Sequence, residues 1–367
     1  MTFVRRLAVA TSIGTLVLIA MGGGVRATDS GLACPDWPAC YGMWIPPADF
    51  NMWMEHSHRL WAGVIGIAVA LLMALTFVDR KAAPAPWRLS ALAGLLVIVQ
   101  AGLGAVVVLL HLRAGLVTSH LGMSLVIVGA LIAVAVRAGT TTPDAGAQFV
   151  GTAWNARTVR FGSIAAAAVF VQALLGGQAT GRGAAYVFNA VPIWLATDAW
   201  SGHIREILHV THRAGGYLVA AAVVAFAVHA ARRSRRLAEV ADASANRAIS
   251  PASSDSMSLK RAARIARNTR FWAIIAAGLV VVQVGLGLAN VLTQAMVPVA
   301  VGHLSVASWL WAVLVLIVVR ERHARDLEYA WGGIELGPNI AVHGGSGRAP
   351  VLASSSASEP STSEVTV

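Results

Sequence analysis

Charge is scarce in this sequence. Only 12% of its 367 residues are Asp, Glu, Lys or Arg, against about 25% in an average soluble chain. Hydrophobic residues make up 57% and the mean hydropathy is +0.67, more apolar surface than a water-soluble core absorbs. That excludes an ordinary soluble domain. Cysteine is almost missing, with Cys34 and Cys40 the only two. A structural zinc site takes four ligands with closely spaced pairs, so this pair argues against one. The strict apolar–polar alternation of a membrane β-barrel is lacking. So is the basic groove interleaved with aromatics that would accompany nucleic-acid binding, and the net charge of +11 reads instead as topology and contact with anionic lipid head groups.

Long apolar runs are what the chain has in abundance. Crossing a bilayer takes about 20 apolar residues as helix, and a helix satisfies its own backbone in lipid. Eight such runs occur, at 7–24, 60–78, 89–110, 116–136, 161–180, 214–230, 271–292 and 297–319. The expected fold is therefore an all-α membrane protein, with eight transmembrane helices in two tandem, pseudo-symmetric four-helix bundles. The first bundle spans 1–140, a link 141–160, and the second bundle 161–320 with an inner linker at 232–270. A polar, disordered cytoplasmic tail is expected over 321–367. Arg5 and Arg6 before the first run resemble a signal peptide, but the counterpart run at 161–180 lies mid-chain, so the first is read as a retained helix. The positive-inside rule then puts both termini in the cytoplasm of a multi-pass protein of the bacterial inner membrane. Arg26, Arg59, Arg113, Arg182, Arg205 and Arg213 are left on the outer side, out of 28 Lys and Arg.

The tandem reading rests on repeats. Glu55-His56-Ser57-His58-Arg59 returns as His209-Val210-Thr211-His212-Arg213, with His58 and His212 154 residues apart. Gly22-Gly23 and Gly176-Gly177 share that offset. Gln100-Ala101-Gly102-Leu103-Gly104 begins 20 residues before His120, and Gln283-Val284-Gly285-Leu286-Gly287 begins 20 before His303. His58, His120, His212 and His303 thus fall near the outer ends of the second and fourth helix of each copy. Ionisable residues inside spans are costly and mark functional sites. Two neutral imidazoles facing each other in a dry bundle suit a heme iron; the plainer alternative is four packing histidines hydrogen-bonded across the bundle.

Around these histidines other residues carry chemistry. Glu55, His58 and Arg59 share one helix face, and a carboxylate there can take a proton or stabilise positive charge. In the second copy His209 replaces it, and His209 is also a rival ligand to His212. Arg59 and Arg213 are placed to pair with heme propionates, or to snorkel to lipid phosphate. Of the others, His56 reads as interfacial, His111 and His203 as outer-surface, and His229, His323 and His343 as solvated. Cys34 and Cys40, in an outer loop, are read as a disulfide, with two unpaired thiols as the alternative. The second outer loop, with Phe188, Trp194 and Trp200, reads as a lid.

At these residues the chain resembles the heme A synthase family over about residues 10–320. The resemblance rests on Gly23-Gly24-Val25-Arg26, Asp29-Ser30-Gly31-Leu32, Cys34-Pro35-Asp36-Trp37-Pro38, Glu55 with His58-Arg59, and Ser119-His120-Leu121-Gly122. The second half adds Phe188-Asn189 with Pro192, His212-Arg213 with Tyr217, and Gly302-His303. Ile193-Trp194 departs from the family pattern. The resemblance implies heme b as cofactor, held by His212 and His303, and heme O as substrate, held by His58 and His120. Glu55 would stand near the methyl group that becomes a formyl group through successive hydroxylations. It also implies a Cys34–Cys40 disulfide near the substrate. The partners are then heme O, membrane lipid, an enzyme that donates heme O, an electron acceptor and further copies of the chain in a homo-oligomer. Rival readings are a diheme b-type electron carrier to quinone and a heme or small-molecule transporter. Glu55 in one copy only speaks against the first, and polar residues gathered at one membrane face speak against the second.

Overall fold

The computed structural model describes residues 2–138, 156–188, 202–247 and 254–330. Within these the chain forms α1 (Thr2–Ala27), α2 (Phe50–Val78), α3 (Pro84–Leu109), α4 (Ala114–Arg137), α5 (Ala156–Gly181), α6 (Ile204–Arg247), α7 (Ser254–Leu292) and α8 (Val297–Ala330), with no strand among the described residues. All eight contain a window long and apolar enough to cross a membrane, so the protein is a multi-pass membrane protein of the expected all-helical class.

Local chemistry sets the helix ends. Asp49 caps α2, its carboxylate accepting from the Met52 N–H at 2.9 Å, which starts the helix ten residues ahead of the apolar run and puts His58 well inside it. Pro84 sits in the first turn of α3, where its missing N–H costs nothing. The α3–α4 turn is closed by His111 and Leu112, and the α7–α8 turn by Gln294 and Ala295, all four in left-handed backbone.

Packing follows a ring in each half: α1, α2, α3 and α4 touch in sequence and α4 returns to α1, while α5 to α8 do the same. The halves meet along α1–α8, α4–α5 and α4–α8. One core cluster crosses that seam, taking Leu16 and Ile19 from α1, Leu125 and Val128 from α4, and Val223, Phe226, Leu310 and Leu314 from α6 and α8. Lipid tails are as apolar as leucine, so close packing and interhelical hydrogen bonds hold such helices together. Side chains away from the seam stay bare: Ile67, Leu95, Ile98, Leu218 and Val281 face outward as a lipid-contacting surface.

Three features differ from the sequence reading. The inner linker is largely helical, since α6 runs on to Arg247 and α7 begins at Ser254. The two extensions pack through Ala241, Ala262 and Ala263 and pair Arg267 with Asp242 at 2.7 Å. Helix α8 continues through 321–330, the start of the expected tail, and buries Glu321, which accepts from the Thr269 hydroxyl at 2.8 Å. Two histidines are buried against expectation: His56, read as interfacial, has its Nε2 2.8 Å from the Trp44 carbonyl oxygen, and His323, read as solvated, is buried on α8. The lid residues Asn189, Pro192, Trp194 and Trp200, and the tail from 331 with His343, lie outside the described residues.

Candidate functional site

Each of the four duplicated histidines lies against a glycine on the preceding helix. A Cβ added at Gly22 would stand 3.1 Å from Cε1 of His58, at Gly104 3.1 Å from His120, at Gly176 2.8 Å from His212 and at Gly287 3.1 Å from His303. Such distances are tighter than ordinary van der Waals contact, so the odd-numbered helices must carry glycine for the imidazoles of the even-numbered ones to stand where they do. The neighbouring glycines serve the seam. Gly23 admits Leu304 of α8, and Gly177 admits Thr118 of α4, at 2.8 and 3.1 Å from the corresponding Cβ positions. The Gly-Gly pairs seen in the sequence thus have two jobs: the first residue cradles a histidine, the second lets the other half approach.

Glutamine is the second recurring neighbour. The Gln100 amide donates to the His120 carbonyl at 3.0 Å and to Ser124 Oγ at 2.7 Å. Gln172 reaches Nδ1 of His212 at 2.9 Å and its carbonyl at 2.5 Å. Gln283 approaches Nε2 of His303 at 3.2 Å, a contact that a metal on that nitrogen would displace. Each glutamine stands one turn before its cradle glycine, at Gln100/Gly104, Gln172/Gly176 and Gln283/Gly287. The equivalent of Gln172 before Gly22 is Leu18, so His58 alone has no amide beside it. Gln172 went unnoticed in the sequence, although its four-residue spacing to Gly176 repeats that of the other two.

The ring centres of His212 and His303 are 6.4 Å apart with planes at 80°. Two imidazole nitrogens bound to one metal at about 2.0–2.1 Å each, plus about an ångström from nitrogen to ring centre on either side, give roughly the same separation. His58 and His120 are likewise within electrostatic reach of each other. Buried Nδ1 atoms of His58, His120 and His303 have no hydrogen-bond partner. Among the described residues no three His, Cys, Asp or Glu converge. Each pair could offer at most two histidine ligands, the donor set an iron porphyrin needs from its protein when the macrocycle supplies the rest.

Above the first pair sits the outer loop. Cys34 and Cys40 form a disulfide, both cysteines fully buried. Glu55 is buried too. Its Oε2 accepts from the Cys34 N–H at 2.9 Å, and its Oε1 pairs with Arg59. Arg59 turns into the loop, its Nη1 donating to the carbonyls of Asp36 and Ala39 at 2.6 Å each and its Nη2 to that of Cys34 at 3.1 Å. The loop closes on itself as well: Asp36 accepts from the amides of Tyr41 and Gly42 at 2.6 Å each, and the Gly42 N–H foremost holds its carboxyl below the usual carboxylate range.

The second half has a comparable arrangement in other atoms. His209, at the position of Glu55, lies with Nδ1 2.6 Å from the Ala184 carbonyl oxygen and Nε2 3.3 Å from Nη1 of Arg213, and Phe188 meets its ring edge-on. Both nitrogens of His209 are thereby engaged at the loop, and it is His212 that faces His303. Among the remaining histidines, His111 forms the α3–α4 turn and His229 stacks edge-on against Phe161.

Known proteins resemble this chain over much of its length. Heme A synthase of Shewanella oneidensis is 27% identical over 353 residues, covering 84% of this chain and 93% of the relative. That of Bacillus licheniformis is 26% identical over 234 residues, covering 62% and 76%, and that of Exiguobacterium sp. is 33% identical over 124 residues, covering 33% and 41%. The COX15-CtaA family model, described as cytochrome oxidase assembly protein, matches residues 5–250. That span takes in nearly all of α1, all of α2 to α6, the disulfide loop and three of the four histidines, and the chain belongs to the COX15-CtaA family of cytochrome oxidase assembly proteins.

Proposed function

We infer that the protein is a heme A synthase, a membrane oxidoreductase that converts the methyl group of heme O to a formyl group by successive hydroxylations. The observation that carries this is the facing pair His212 and His303, 6.4 Å between ring centres and nearly perpendicular, each seated on its own glycine. In this reading they would hold heme b, which would supply one-electron transfer. His58 and His120 hold the iron of the substrate at the same depth in the first half. Gly22 and Gly104 fix where those two rings stand, and the Gln100 amide anchors the α4 backbone at His120. Glu55 is the proton-handling group: it stands one turn from His58 on the same face and is shielded from water by the disulfide loop. The Glu55 Oε2 that accepts from Cys34 N–H is where a proton can be held, and Arg59 fixes the opposite oxygen. The membrane is the bacterial inner membrane, with both termini cytoplasmic.

Membranes from cells that make heme O together with this protein are expected to contain heme A, read by extraction and chromatography. Recovery of heme O alone, with a normal bis-histidine spectrum, would leave an electron carrier as the function. A second expected result concerns the cradle. Gly176→Ala places a methyl 2.8 Å from the His212 ring, so the ring must shift, and heme content per purified protein should fall several-fold while Gly278→Ala, in open space on α7, leaves it unchanged.

A further inference from the structure

The inner ends of the helices, remote from both histidine pairs, hold a charge cluster that heme chemistry does not use. Glu321 on α8 is buried there, at 4% exposure. It accepts from the Thr269 hydroxyl on α7 at 2.8 Å and lies within electrostatic reach of Arg233 on α6 and of Arg320 beside it. Arg320 also feels Arg5 of α1, and feels it more strongly than Glu321. Helices α1 and α8 pack together along the seam between the halves. Two guanidiniums, one from each half, therefore meet at the inner end of that seam.

Two observations point to one kind of ligand. The first is that this pair differs from ordinary solvated charge. Arg320 is half-buried, and neither it nor Arg5 makes a hydrogen bond with any described residue. The arginines nearby are already engaged: Arg322 donates to Ser163 at 3.3 Å, and Arg233 is drawn to Glu321. Glu321 is thus one negative charge among three arginines. Like charges held close in partly buried surroundings repel, and an anion between Arg5 and Arg320 would relieve that. The second observation is what continues from Arg5. Arg5, Val9, Ile13 and Val17 follow at four-residue spacing, one ridge of α1, and all four are exposed. The ridge rises about 18 Å from Arg5 to Val17, against about 15 Å for half of a bilayer's hydrocarbon core. Positive charge at the inner end of a bare apolar ridge one leaflet deep fits a lipid better than a free ion.

We propose that the inner end of the α1–α8 seam binds one anionic phospholipid, its phosphodiester bridging Arg5 and Arg320 and one acyl chain lying along Val9, Ile13 and Val17. Guanidinium forks suit the two free oxygens of a phosphodiester, and basic pockets between helices on the cytoplasmic side take such head groups. A net negative head group is favoured over a zwitterionic one because the second arginine also needs a counter-charge. The lipid then joins the two halves at their inner end, as the close approach of Gly23 to Leu304 does further out.

The test uses the full-length protein in neutral detergent, titrated with phosphatidylglycerol or phosphatidylcholine, with bound lipids counted by native mass spectrometry. Wild type should hold one phosphatidylglycerol at least about fivefold tighter than phosphatidylcholine. Arg5→Gln and Arg320→Gln should each cost about fivefold in that affinity, the worth of one arginine beside an anionic head group. Arg88→Gln, at an exposed inner arginine of α3, removes the same charge and should change nothing. Thermal unfolding adds a sign that solvated charge does not give. With phosphatidylcholine alone, Arg5→Gln should unfold at a higher temperature than wild type, because the repulsion with Arg320 is gone. Phosphatidylglycerol should then raise wild type and leave Arg5→Gln where it was, and a cooperative transition reports that each variant is folded. An equal loss in Arg88→Gln means diffuse attraction alone and overturns the site, as does wild type without preference for phosphatidylglycerol. Inorganic phosphate that displaces the lipid, or gives wild type the same thermal gain, replaces the lipid by a free anion and overturns it too.

Discussion

Alanine at His212 or His303 is expected to leave the purified protein without the b-type heme proposed for that pair. The two rings face each other across 6.4 Å, and neither has a second histidine ready to replace it. His209 has both nitrogens committed, to the Ala184 carbonyl and to Arg213. Removing even an outer-shell partner of a metal ligand costs about ten- to hundredfold in affinity, so removing the ligand itself should cost at least that. Heme content, read from the pyridine hemochrome spectrum, should drop below about a tenth of wild type on that basis. Gln172→Leu offers the graded comparison: it deletes the amide at Nδ1 of His212 and should weaken retention without abolishing it. His58→Ala, in the other half, should leave the b-type heme in place. Full heme in both the His212 and His303 variants would place the cofactor elsewhere.

How much of this was legible in the sequence follows from which solvent each part meets. Lipid demands long apolar helices, so all eight runs were readable as spans. Their ends were not. The inner hairpin of α6 and α7 is rich in Ala and Arg, strong helix formers that a search for lipid-soluble stretches passes over. The Asp49 cap of α2 was readable in principle, standing after Pro46-Pro47 and just before the helix. The histidines could be found because their spacing repeats, and the Gly-Gly pairs for the same reason. Which glycine touches which ring depends on helix rotation, which periodicity alone leaves open in a helix that is apolar all round, as α3 is. Arg59 shows where reading from residue type stops. An arginine at a membrane rim suggests an anionic ligand, yet here its donors go to three carbonyls of the disulfide loop and to Glu55. Nothing in the sequence announces the path of that loop, because its carbonyls converge only once Cys34 and Cys40 are joined.

Glu55 and Arg59 should separate under mutation in a way that distinguishes chemistry from support. Both side chains are almost fully withdrawn from solvent, at 5% and 11% exposure. Removing one partner of a buried ion pair costs about 3–5 kcal/mol, because the other charge is left uncompensated. Arg59→Met should therefore destabilise the outer half of the first four helices by about that much, and it also strips donors from the carbonyls of Cys34, Asp36 and Ala39. Glu55→Gln also leaves a lone buried charge, on Arg59, but that guanidinium keeps its three carbonyl acceptors and the amide oxygen can still accept from the Cys34 N–H, so its loss of stability should be smaller than that of Arg59→Met. The double variant, Glu55→Gln with Arg59→Met, should recover part of the stability lost in Arg59→Met, since no lone charge remains. Activity should not follow stability. Glutamine holds the loop but neither binds nor releases a proton, and general acid–base groups contribute about 10²–10⁴-fold. Heme A formation by Glu55→Gln should thus fall at least a hundredfold by that measure, with thermal unfolding in detergent above that of Arg59→Met and the heme proposed for His212 and His303 still bound. If Glu55→Gln makes heme A at the wild-type rate while Arg59→Met unfolds, Glu55 only supports the loop, and the proton must be carried by another group.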